Sequence, residues 1–543
     1  MKQKLFVFVI TILLLSVFSF AATKEWTFMV YLDADNNLED AGVADFSEMS
    51  TVGSNDNINI VVQMDRTPGE SSAAGNWTDT RRFYVKKGDS ASSTPLEKLG
   101  EVNMGDGNEL KKFIVWAITN YPAKKYALVL WNHGGGWRAK KNLKNRKAIC
   151  WDDTNNGDCL YMLEMQAAVK AALQTVGIAK LDLIGFDACL MGMIEVASDL
   201  KDIANVMTGS EETEPGDGWP YNTILSALAA NPTMTAIQLA DIIVTKYAES
   251  YQGVDGTITQ AAIDLSKIGT LNEKVKKFVD NANQWSLIKT ARTATRTYSE
   301  ADGYPHADLY HFMSLLKTKG VTDPAVLSAA EEVKTALKAA VINTKNGSSR
   351  TNSNGLAIFF PKTTTAYNNA DGSDYKNHQF HKETGWDNFL KNYFNPPADK
   401  PIGGTTTSVD GSGTAKFSRT TPVTGGKKIT SLTFYFTATE DLSGGEVTIT
   451  VPEGWTAPTT TSGANGEIVK GTEYSGVVTE APTVSGRTIT VKTTTLPAKK
   501  KFKFSYKKVY PPTTPGVVKF IVKSKGKNGT LKEIAVHPTL TIQ

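Results

Sequence analysis

Short apolar segments alternate with longer amphipathic segments through the first 400 positions of the chain. Apolar runs bounded by polar turns, such as Trp26–Leu32, Tyr126–Trp131 and Leu181–Phe186, are typical of buried strands. Asn108–Asn120 and Tyr161–Val176 have instead the three- and four-residue spacing of helices. Strands that alternate with helices in this way predict an α/β fold, a mostly parallel sheet with helices on both faces.

The pattern changes beyond residue 400. Residues 415–543 contain many short runs in which apolar and polar side chains alternate, and they show few helix signals. Alternating runs separated by Gly and Pro turns predict an all-β, antiparallel sandwich. Pro, Gly and Thr concentrate just before these runs. We therefore place a linker at 399–412, between a first domain at 22–398 and a β-sandwich at 413–543.

The first 21 residues have the organisation of a signal peptide. A basic segment ends at Lys4, an apolar run covers Leu5–Phe20, and Ser19 and Ala21 are small residues at the spacing that a signal peptidase prefers. This pattern predicts export, with cleavage after Ala21 and no stable membrane insertion afterwards. The mature protein is expected to be secreted, or held at the cell surface or in the periplasm. An uncleaved membrane anchor is the alternative.

Composition and charge indicate how many domains the chain forms and which kinds of partner it binds. With 543 residues, 41% of them hydrophobic and 21% charged, the chain is expected to form at least two globular domains. The net charge of +4 is small for this length and predicts neither nucleic acid nor an anionic membrane as a partner. An odd number of cysteines in an exported protein indicates a free thiol. Cys150 and Cys159 could form a disulfide, or both could be reduced and buried, which would leave Cys189 alone.

Cys189 and His133 stand out as candidates for chemistry. Cys189 follows the apolar strand that ends at Phe186, and ligands of open α/β sheets bind at the carboxyl ends of strands. A helix is predicted from Met193, and a nearby helix N-terminus stabilises a thiolate. His133 also ends a predicted core strand. Neighbouring parallel strands would bring the two side chains together as a nucleophile and its base. Taken singly, each residue fits a buried cysteine or a loop histidine better.

The turn after His133 is rich in glycine, beginning at Gly134. Glycines allow the backbone to approach a substrate carbonyl closely, and the N–H groups of Gly134 and Cys189 could then donate to an oxyanion. The histidine precedes the cysteine by 56 residues, and the caspase pattern has a similar order and spacing.

Acidic side chains near the ends of these predicted strands indicate which substrate side chain the site would bind. Asp187 lies two residues before Cys189, so strand alternation directs both side chains to the same side. A carboxylate there would attract the Arg or Lys side chain of a substrate, although it could instead orient a histidine or cap the following helix. A turn-rich loop after the next strand contains Glu211 and Asp217, either of which could line the same specificity pocket.

The loop at 138–147 is rich in Lys and Arg. Its ordinary interpretation is a solvated surface loop. If the protein cleaves after basic residues, however, this loop is its nearest substrate. Autocleavage is then expected at Lys147–Ala148 or Arg146–Lys147.

Two acid-rich turns, Asp33–Asn37 and Asp152–Asp158, present oxygen ligands without the EF-hand pattern. Calcium binding and ordinary turn chemistry both stay open for them. The chemistry expected of Cys189 requires no cofactor and no metal. His378 and His381 offer the alternative of a metallohydrolase, although the sequence shows no third ligand near them.

Four motifs together resemble the clostripain family of cysteine peptidases: Tyr31–Glu39, Trp131–Trp137, Asp187–Gly192 and Glu214–Tyr221. The resemblance extends over about residues 25–395, and the second and third motifs are specific. It implies a caspase-like α/β/α fold and self-processing. Calcium activation occurs in the family, but the resemblance carries it to no named ligands.

The same resemblance implies a His133/Cys189 dyad and a preference for Arg or Lys before the cleaved bond. Asp187, with Asp217 as its companion, falls where the basic-specificity residues of the family would be. We therefore expect an exported cysteine endopeptidase that acts on proteins or peptides containing Arg or Lys.

The β-sandwich lies outside the resemblance, and we expect it to contact a surface or a glycan. The rival interpretation is a catalytically inactive peptidase-like scaffold that serves in extracellular binding or adhesion. The intact histidine and cysteine motifs argue against it.

Overall fold

A computed structural model describes residues 23–137, 148–370, 372–400, 409–527 and 529–543. The predicted signal peptide, the basic loop with Arg146 and Lys147, and most of the predicted linker lie outside these residues. The chain divides into two compact units between residues 401 and 402. No helix within the described ranges is both long and apolar enough to cross a membrane.

The first unit contains fourteen strands among its described residues. They are β1 Lys24–Ala34, β2 Ile58–Arg66, β3 Thr80–Tyr84, β4 Glu97–Gly100, β5 Ala123–Trp131, β6 Ile149–Asp152, β7 Asp158–Leu160, β8 Leu181–Asp187, β9 Ala204–Gly209, β10 Thr259–Asp264, β11 Thr297–Tyr298, β12 His306–Asp308, β13 Val341–Asn346 and β14 Ala357–Phe359.

Thirteen helices accompany them in the same described part of the chain. They are α1 Glu39–Val52, α2 Gly107–Asn120, α3 Met162–Val176, α4 Ile194–Leu200, α5 Tyr221–Ala230, α6 Ala236–Ser250, α7 Ile268–Asn281, α8 Trp285–Ala294, α9 Leu309–Thr318, α10 Pro324–Ala340, α11 Thr364–Asn369, α12 Gln379–Thr384 and α13 Trp386–Phe394.

Nine strands form one large sheet in the order β13-β10-β9-β8-β5-β1-β2-β3-β4. The five central strands, β9 to β2 in this order, pair in parallel. The strands at both edges pair antiparallel. The predicted α/β fold with helices on both faces is confirmed, and its sheet is mixed. No α-helix connects β2 to β3 or β3 to β4, so these edge strands can run antiparallel.

The central sheet is buried on both faces. Along β1, Met29 and Tyr31 belong to one apolar core, which also contains residues of α2 and α3. Phe28 and Val30 belong to a second core on the opposite face, packed against α1, α5 and α6. Burial on both faces explains why the central strands are continuous apolar runs rather than alternating ones.

Two elements depart from simple sequence patterns. Residues 355–360 have the apolar composition of a buried strand, but only β14 forms there, and it pairs with β12 in a separate three-stranded sheet. Helix α1 was not predicted, because Gly42, Asp45 and Ser50 interrupt the apolar residues on its buried side.

The second unit is built from strands. They are β15 Thr414–Phe417, β16 Ile429–Thr437, β17 Gly445–Thr450, β18 Glu467–Lys470, β19 Val478–Thr479, β20 Thr483–Ser485, β21 Thr488–Thr495, β22 Lys501–Val509, β23 Gly516–Lys519, β24 Ile521–Lys525, β25 Lys532–Glu533 and β26 Thr539–Ile542.

Two antiparallel sheets of this unit, β15-β16-β22-β18 and β19-β21-β17-β24-β25, share one apolar core. Phe434 and Phe504 enter it from the first sheet, and Ile449 and Val491 enter it from the second. The all-β prediction for this part of the chain is confirmed.

Candidate active site

The pairing of β5 with β8 places the two candidate residues side by side. These strands run parallel, with Trp131 opposite Asp187. His133 and Cys189 each follow this pair by two residues, so both leave the sheet at the same edge. Both line a single cavity of about 260 Å³. The structure therefore brings together the histidine and the cysteine that the sequence singled out.

The walls of this cavity come from the carboxyl ends of β5 and β8, the turn before α1 and the loop before α5. The lining residues are Leu38, Trp131, Asn132, His133, Asp187, Ala188, Cys189, Glu214, Pro215, Gly216 and Gly218. Asp187, which was predicted to recognise the substrate, is thus part of the same cavity.

Gly134 lies directly against Cys189. A Cβ atom at residue 134 would be 2.1 Å from the carbonyl oxygen of Cys189, so no larger residue fits without moving one of the two turns. This close approach is the physical reason for a glycine after His133. It also places the Gly134 N–H beside the cysteine sulfur, where it stabilises a thiolate.

The Cys189 thiol is half-buried, and its burial raises its pKa above the ordinary value. Three N–H groups oppose this rise, those of Glu214, Cys189 itself and Gly134. The Glu214 N–H donates to Sγ at 3.3 Å. Helix α4 begins at Ile194, so the turn after Cys189 separates the sulfur from the helix N-terminus. Because the free thiol is protonated at neutral pH, it needs a base.

His133 is positioned by asparagines. The ring atom Nε2 of His133 lies 2.9 Å from Oδ1 of Asn37. The backbone N–H of His133 donates to Oδ1 of Asn132. The Asn132 amide also donates to Oδ2 of Asp33 at 2.7 Å and to the carbonyl of Trp151 at 2.9 Å. A proton on Nε2 would match this contact with the amide oxygen of Asn37.

Asp187 and Glu214 form a pair of carboxyl groups at the cavity. Tyr221 donates its hydroxyl to Oδ2 of Asp187 at 2.9 Å, and the Trp219 N–H donates to the same oxygen at 3.3 Å. Burial raises the pKa of Asp187 to about 6, although hydrogen bonds from Tyr221, Glu214 and Trp219 oppose the rise.

Burial, the nearby Asp187 and the hydrogen bond between the two side chains raise the pKa of Glu214 well above its ordinary value. Its Oε1 atom accepts from Gln260 at 2.9 Å, and its buried Oε2 receives no hydrogen bond. Because the two carboxyl groups interact this closely, they titrate as a pair.

The other acidic residues proposed for the pocket lie elsewhere. Asp217 is exposed and does not line the cavity, although Gly216 and Gly218 on either side of it do. Glu211 is buried beside Asp308 and accepts from the Gly355 N–H at 2.9 Å.

Sequence reasoning named neither Glu214 nor Asn37 as a site residue, although both belong to the motifs on which the resemblance rests. Membership in those motifs is the feature of the sequence by which both residues could have been identified as site residues.

Ala148 is the described member of the predicted autocleavage bond. It is buried, at 2% exposure, and leads directly into β6. Cys150 and Cys159 are buried on β6 and β7 and are not joined in a disulfide.

The two histidines of the metallohydrolase alternative have other partners. Nδ1 of His378 lies 2.5 Å from Oδ2 of Asp199, and Nδ1 of His381 accepts from the Asp387 N–H at 3.2 Å. Within the described residues, neither histidine belongs to a cluster of three or more metal-binding side chains.

Comparison with known proteins agrees with this geometry. Residues 30–393 match the clostripain family of peptidases. Clostripain of Hathewaya histolytica is 30% identical over 409 residues, which cover 63% of this chain and 75% of that protein.

Two solved structures resemble the fold, each with a TM-score of 0.51 over 67% of this chain. One is a secreted C11 cysteine protease from Bacteroides thetaiotaomicron in complex with an irreversible peptide inhibitor, at 22% identity over 99% of that chain. The other is an inactive zymogen C11 protease from Parabacteroides distasonis, at 20% identity over 98% of that chain.

The first unit is therefore a cysteine endopeptidase with a caspase-like fold. The chain belongs to the clostripain family.

Proposed function

We propose that the protein is an exported endopeptidase that cleaves after Arg or Lys, with Cys189 as the nucleophile and His133 as the base. One observation carries the proposal: His133, Cys189 and the carboxylate of Asp187 line the same cavity. A nucleophile, a base and a negatively charged subsite are what cleavage after a basic residue requires.

In the proposed reaction the Cys189 sulfur attacks the scissile carbonyl carbon while Nδ1 of His133 takes up the thiol proton. The carbonyl π electrons move to the oxygen, and the N–H groups of Gly134 and Cys189 donate to the oxyanion. The C–N bond then breaks, and His133 returns the proton to the leaving amine. Water hydrolyses the thioester and regenerates the thiol.

The proposed specificity rests on the charge of Asp187. In the proposal Asp187 is ionised at neutral pH, while Glu214 holds a proton and donates it to Asp187 in a hydrogen bond, so that the pocket does not carry two adjacent negative charges. A guanidinium or ammonium group entering the cavity would pair with Asp187 at a site shielded from water, where an ion pair is stronger than on the surface.

Hydrolysis of reporter peptides tests the dyad and the specificity. Peptides with Arg, Lys, Asp or Gln before the scissile bond are compared, and we expect cleavage of the Arg or Lys peptides alone. Cys189→Ala and His133→Ala should each lower kcat at least about 10⁴-fold. Their matched controls, Cys159→Ala and His381→Ala, remove a second thiol and a second imidazole and should remain active. Preferential cleavage after Asp would contradict the role of Asp187, and an active Cys189→Ala chain would contradict the dyad.

Self-processing in the basic loop is part of the proposal. The loop follows the His133 turn directly in sequence, and six of its ten residues, 138–147, are Lys or Arg. We expect the wild-type chain to be cut at Lys147–Ala148 or Arg146–Lys147, and the Cys189→Ala chain to stay intact. Adding a trace of wild-type protein to the Cys189→Ala chain separates cleavage within one molecule from cleavage between molecules. A nick in a protease-free Cys189→Ala preparation would rule out autocleavage.

Export and attachment complete the proposal. Sequencing of the mature protein should give Ala22 as the first residue, and retention of Met1 would contradict export. Residues 409–543 contain 18 Lys and Arg against 9 Asp and Glu, which supports contact with an anionic surface or glycan. The full-length Cys189→Ala chain should then bind anionic polysaccharide beads in low salt and should not bind neutral ones. Equal retention on both kinds of bead would contradict this role.

A further inference from the structure

The side chain of Asn37 lies against the imidazole ring of His133. Its Oδ1 atom is 2.9 Å from Nε2 of the ring, which is a hydrogen-bond distance. Among the described residues, the Asn37 side chain makes no other hydrogen bond, and the residue is exposed. Exposed side chains of this kind contribute little to the free energy of unfolding. The contact therefore indicates a role at the imidazole rather than in the stability of the turn.

Two buried asparagines, each directly before one of these residues, fix the distance between the two turns. The Asn36 amide donates to the carbonyl of Asp33 at 3.2 Å and to that of Trp151 at 2.9 Å. The Asn132 amide donates to the same two carbonyls, at 2.8 and 2.9 Å. Because both amides share these acceptors, the residues that follow them are held side by side.

An amide oxygen determines which proton the ring must carry. It accepts hydrogen bonds and cannot donate one, so Oδ1 of Asn37 pairs with Nε2 of His133 only when that nitrogen is protonated. In the neutral ring Nδ1 is then the basic nitrogen. When the ring takes up a second proton, the same contact becomes a hydrogen bond from a charged donor. Such bonds are about twice as strong as neutral ones.

We propose that Asn37 is a positioning residue for catalysis, which holds the His133 ring with a proton on Nε2. This role rests on the proposed function, in which Nδ1 takes up the thiol proton of Cys189. The Nε2 proton stays in place during that transfer, and no bond to Asn37 forms or breaks. Because the contact is stronger with the imidazolium than with the neutral ring, Asn37 stabilises the transition state more than the bound substrate.

A neutral acceptor has an advantage over a carboxylate at this position. A carboxylate beside Nε2 would raise the pKa of the imidazole, and the ring would then be protonated at neutral pH and unable to act as a base. Two nearby carboxylates are engaged by other groups: Asp33 accepts from Asn132 at 2.7 Å, and Asp187 accepts from Tyr221 at 2.9 Å. The amide of Asn37 orients the ring without adding a charge.

The first test measures the tautomer without reference to activity. The full-length chain carrying Cys189→Ala, which removes autolysis, is labelled with ¹⁵N in its histidines. The His133 signals are assigned by their loss when His133→Gln is added. At a pH at which the ring is neutral, we expect the proton on Nε2 in this parent chain and a mixture of the two tautomers when Asn37→Leu is added. A proton on Nδ1 in the parent would overturn the proposal.

The second test separates kcat from KM in the active enzyme. Asn37→Leu keeps the size of the side chain and removes the acceptor. We expect kcat for an Arg peptide to fall about 10–100-fold, the contribution of a hydrogen bond from a charged donor, and KM to stay within about threefold. A kcat equal to that of the wild type, or a loss confined to KM, would contradict the positioning role.

Asn120→Leu is the matched control. Asn120 is an exposed asparagine at the end of α2, and its amide donates to the carbonyl of Trp116 at 2.8 Å. Its replacement should leave kcat unchanged. Both leucine variants should unfold within about 2 °C of the wild type, because each changes an exposed side chain. A much lower Tm for Asn37→Leu alone would show that Asn37 supports the fold.

Asn37→Asp supplies a pH signature that a structural role would not produce. The substitution keeps an acceptor oxygen beside Nε2 and adds a negative charge. The pH below which kcat falls should therefore rise by about one unit, and kcat above that pH should be within about threefold of the wild type. An Asn37→Asp enzyme as slow as Asn37→Leu at every pH would show that the acceptor oxygen is not what matters.

The results also distinguish this role from the proposed dyad. If His133→Ala is as active as the wild type, the dyad itself is wrong, whichever nitrogen carries the proton. If His133→Ala is inactive while Asn37→Leu keeps the kcat of the wild type, the dyad stands and the role of Asn37 is wrong.

Discussion

Two groups of carboxylates lie at the same edge of the central sheet, and they are stabilised differently. Asp187 and Glu214 hydrogen-bond to each other and line the cavity, and Asp187 also accepts the Tyr221 hydroxyl. In the second group, Asp35, Asp65, Glu101 and Asp152, four carboxylates meet with only neutral donors. The two members of the pair hydrogen-bond to each other, whereas the cluster keeps several adjacent carboxylates whose charge the neutral donors do not offset.

The largest effect is expected from Asp187→Asn, which keeps the shape of the pocket and removes its charge. We expect kcat/KM for Arg and Lys peptides to fall about 10²–10³-fold, because the cationic side chain loses its buried partner. The fall for a Gln peptide should be much smaller. A similar loss for all peptides would show that Asp187 supports the fold of the site rather than its specificity.

The pH profile gives a second measure of the same residue. Protonation of Asp187 removes the charge, so kcat/KM for an Arg peptide should decrease as the pH falls through about 6. At pH 5 the loss should be about tenfold. The Asp187→Asn enzyme should lack this step.

A smaller effect is expected from Glu214→Gln, although Glu214 touches the same pocket as Asp187. The amide reproduces the donor that a protonated Glu214 offers to Asp187, so kcat/KM for Arg peptides at pH 7 should stay within about threefold of the wild type. A loss as large as that of Asp187→Asn would mean that Glu214 carries the negative charge.

Asp217→Asn should have the smallest effect. The side chain is exposed and does not line the cavity, and interactions between exposed charges are weak. We expect kcat/KM for Arg and Lys peptides to change less than about twofold, measured at low salt. A tenfold loss would show that the loop closes over bound substrate and brings Asp217 into the pocket.

Much of the molecule follows from local patterns. Apolar runs buried on both faces of a sheet identify the central strands, and alternating runs identify the all-β unit. The residues just after two such strands, His133 and Cys189, could be paired because parallel neighbours end at one edge. Helix α1 could not be predicted from apolar spacing, because its buried side includes Gly42 and Asp45.

Local patterns do not predict which segments far apart in sequence come into contact. Asp65 and Glu101 carry no signal of their own, and they join Asp35 and Asp152 only because β2, β1 and β6 bring their ends together. In the loop before α5, the sequence indicated Asp217, but the path of the loop places Glu214 against Asp187 and leaves Asp217 exposed. Sequence thus determined the strands and the chemistry at their ends, because burial depends on local periodicity. The tertiary structure alone decided which carboxylates share a site, because that depends on the order of the strands and the course of the loops between them.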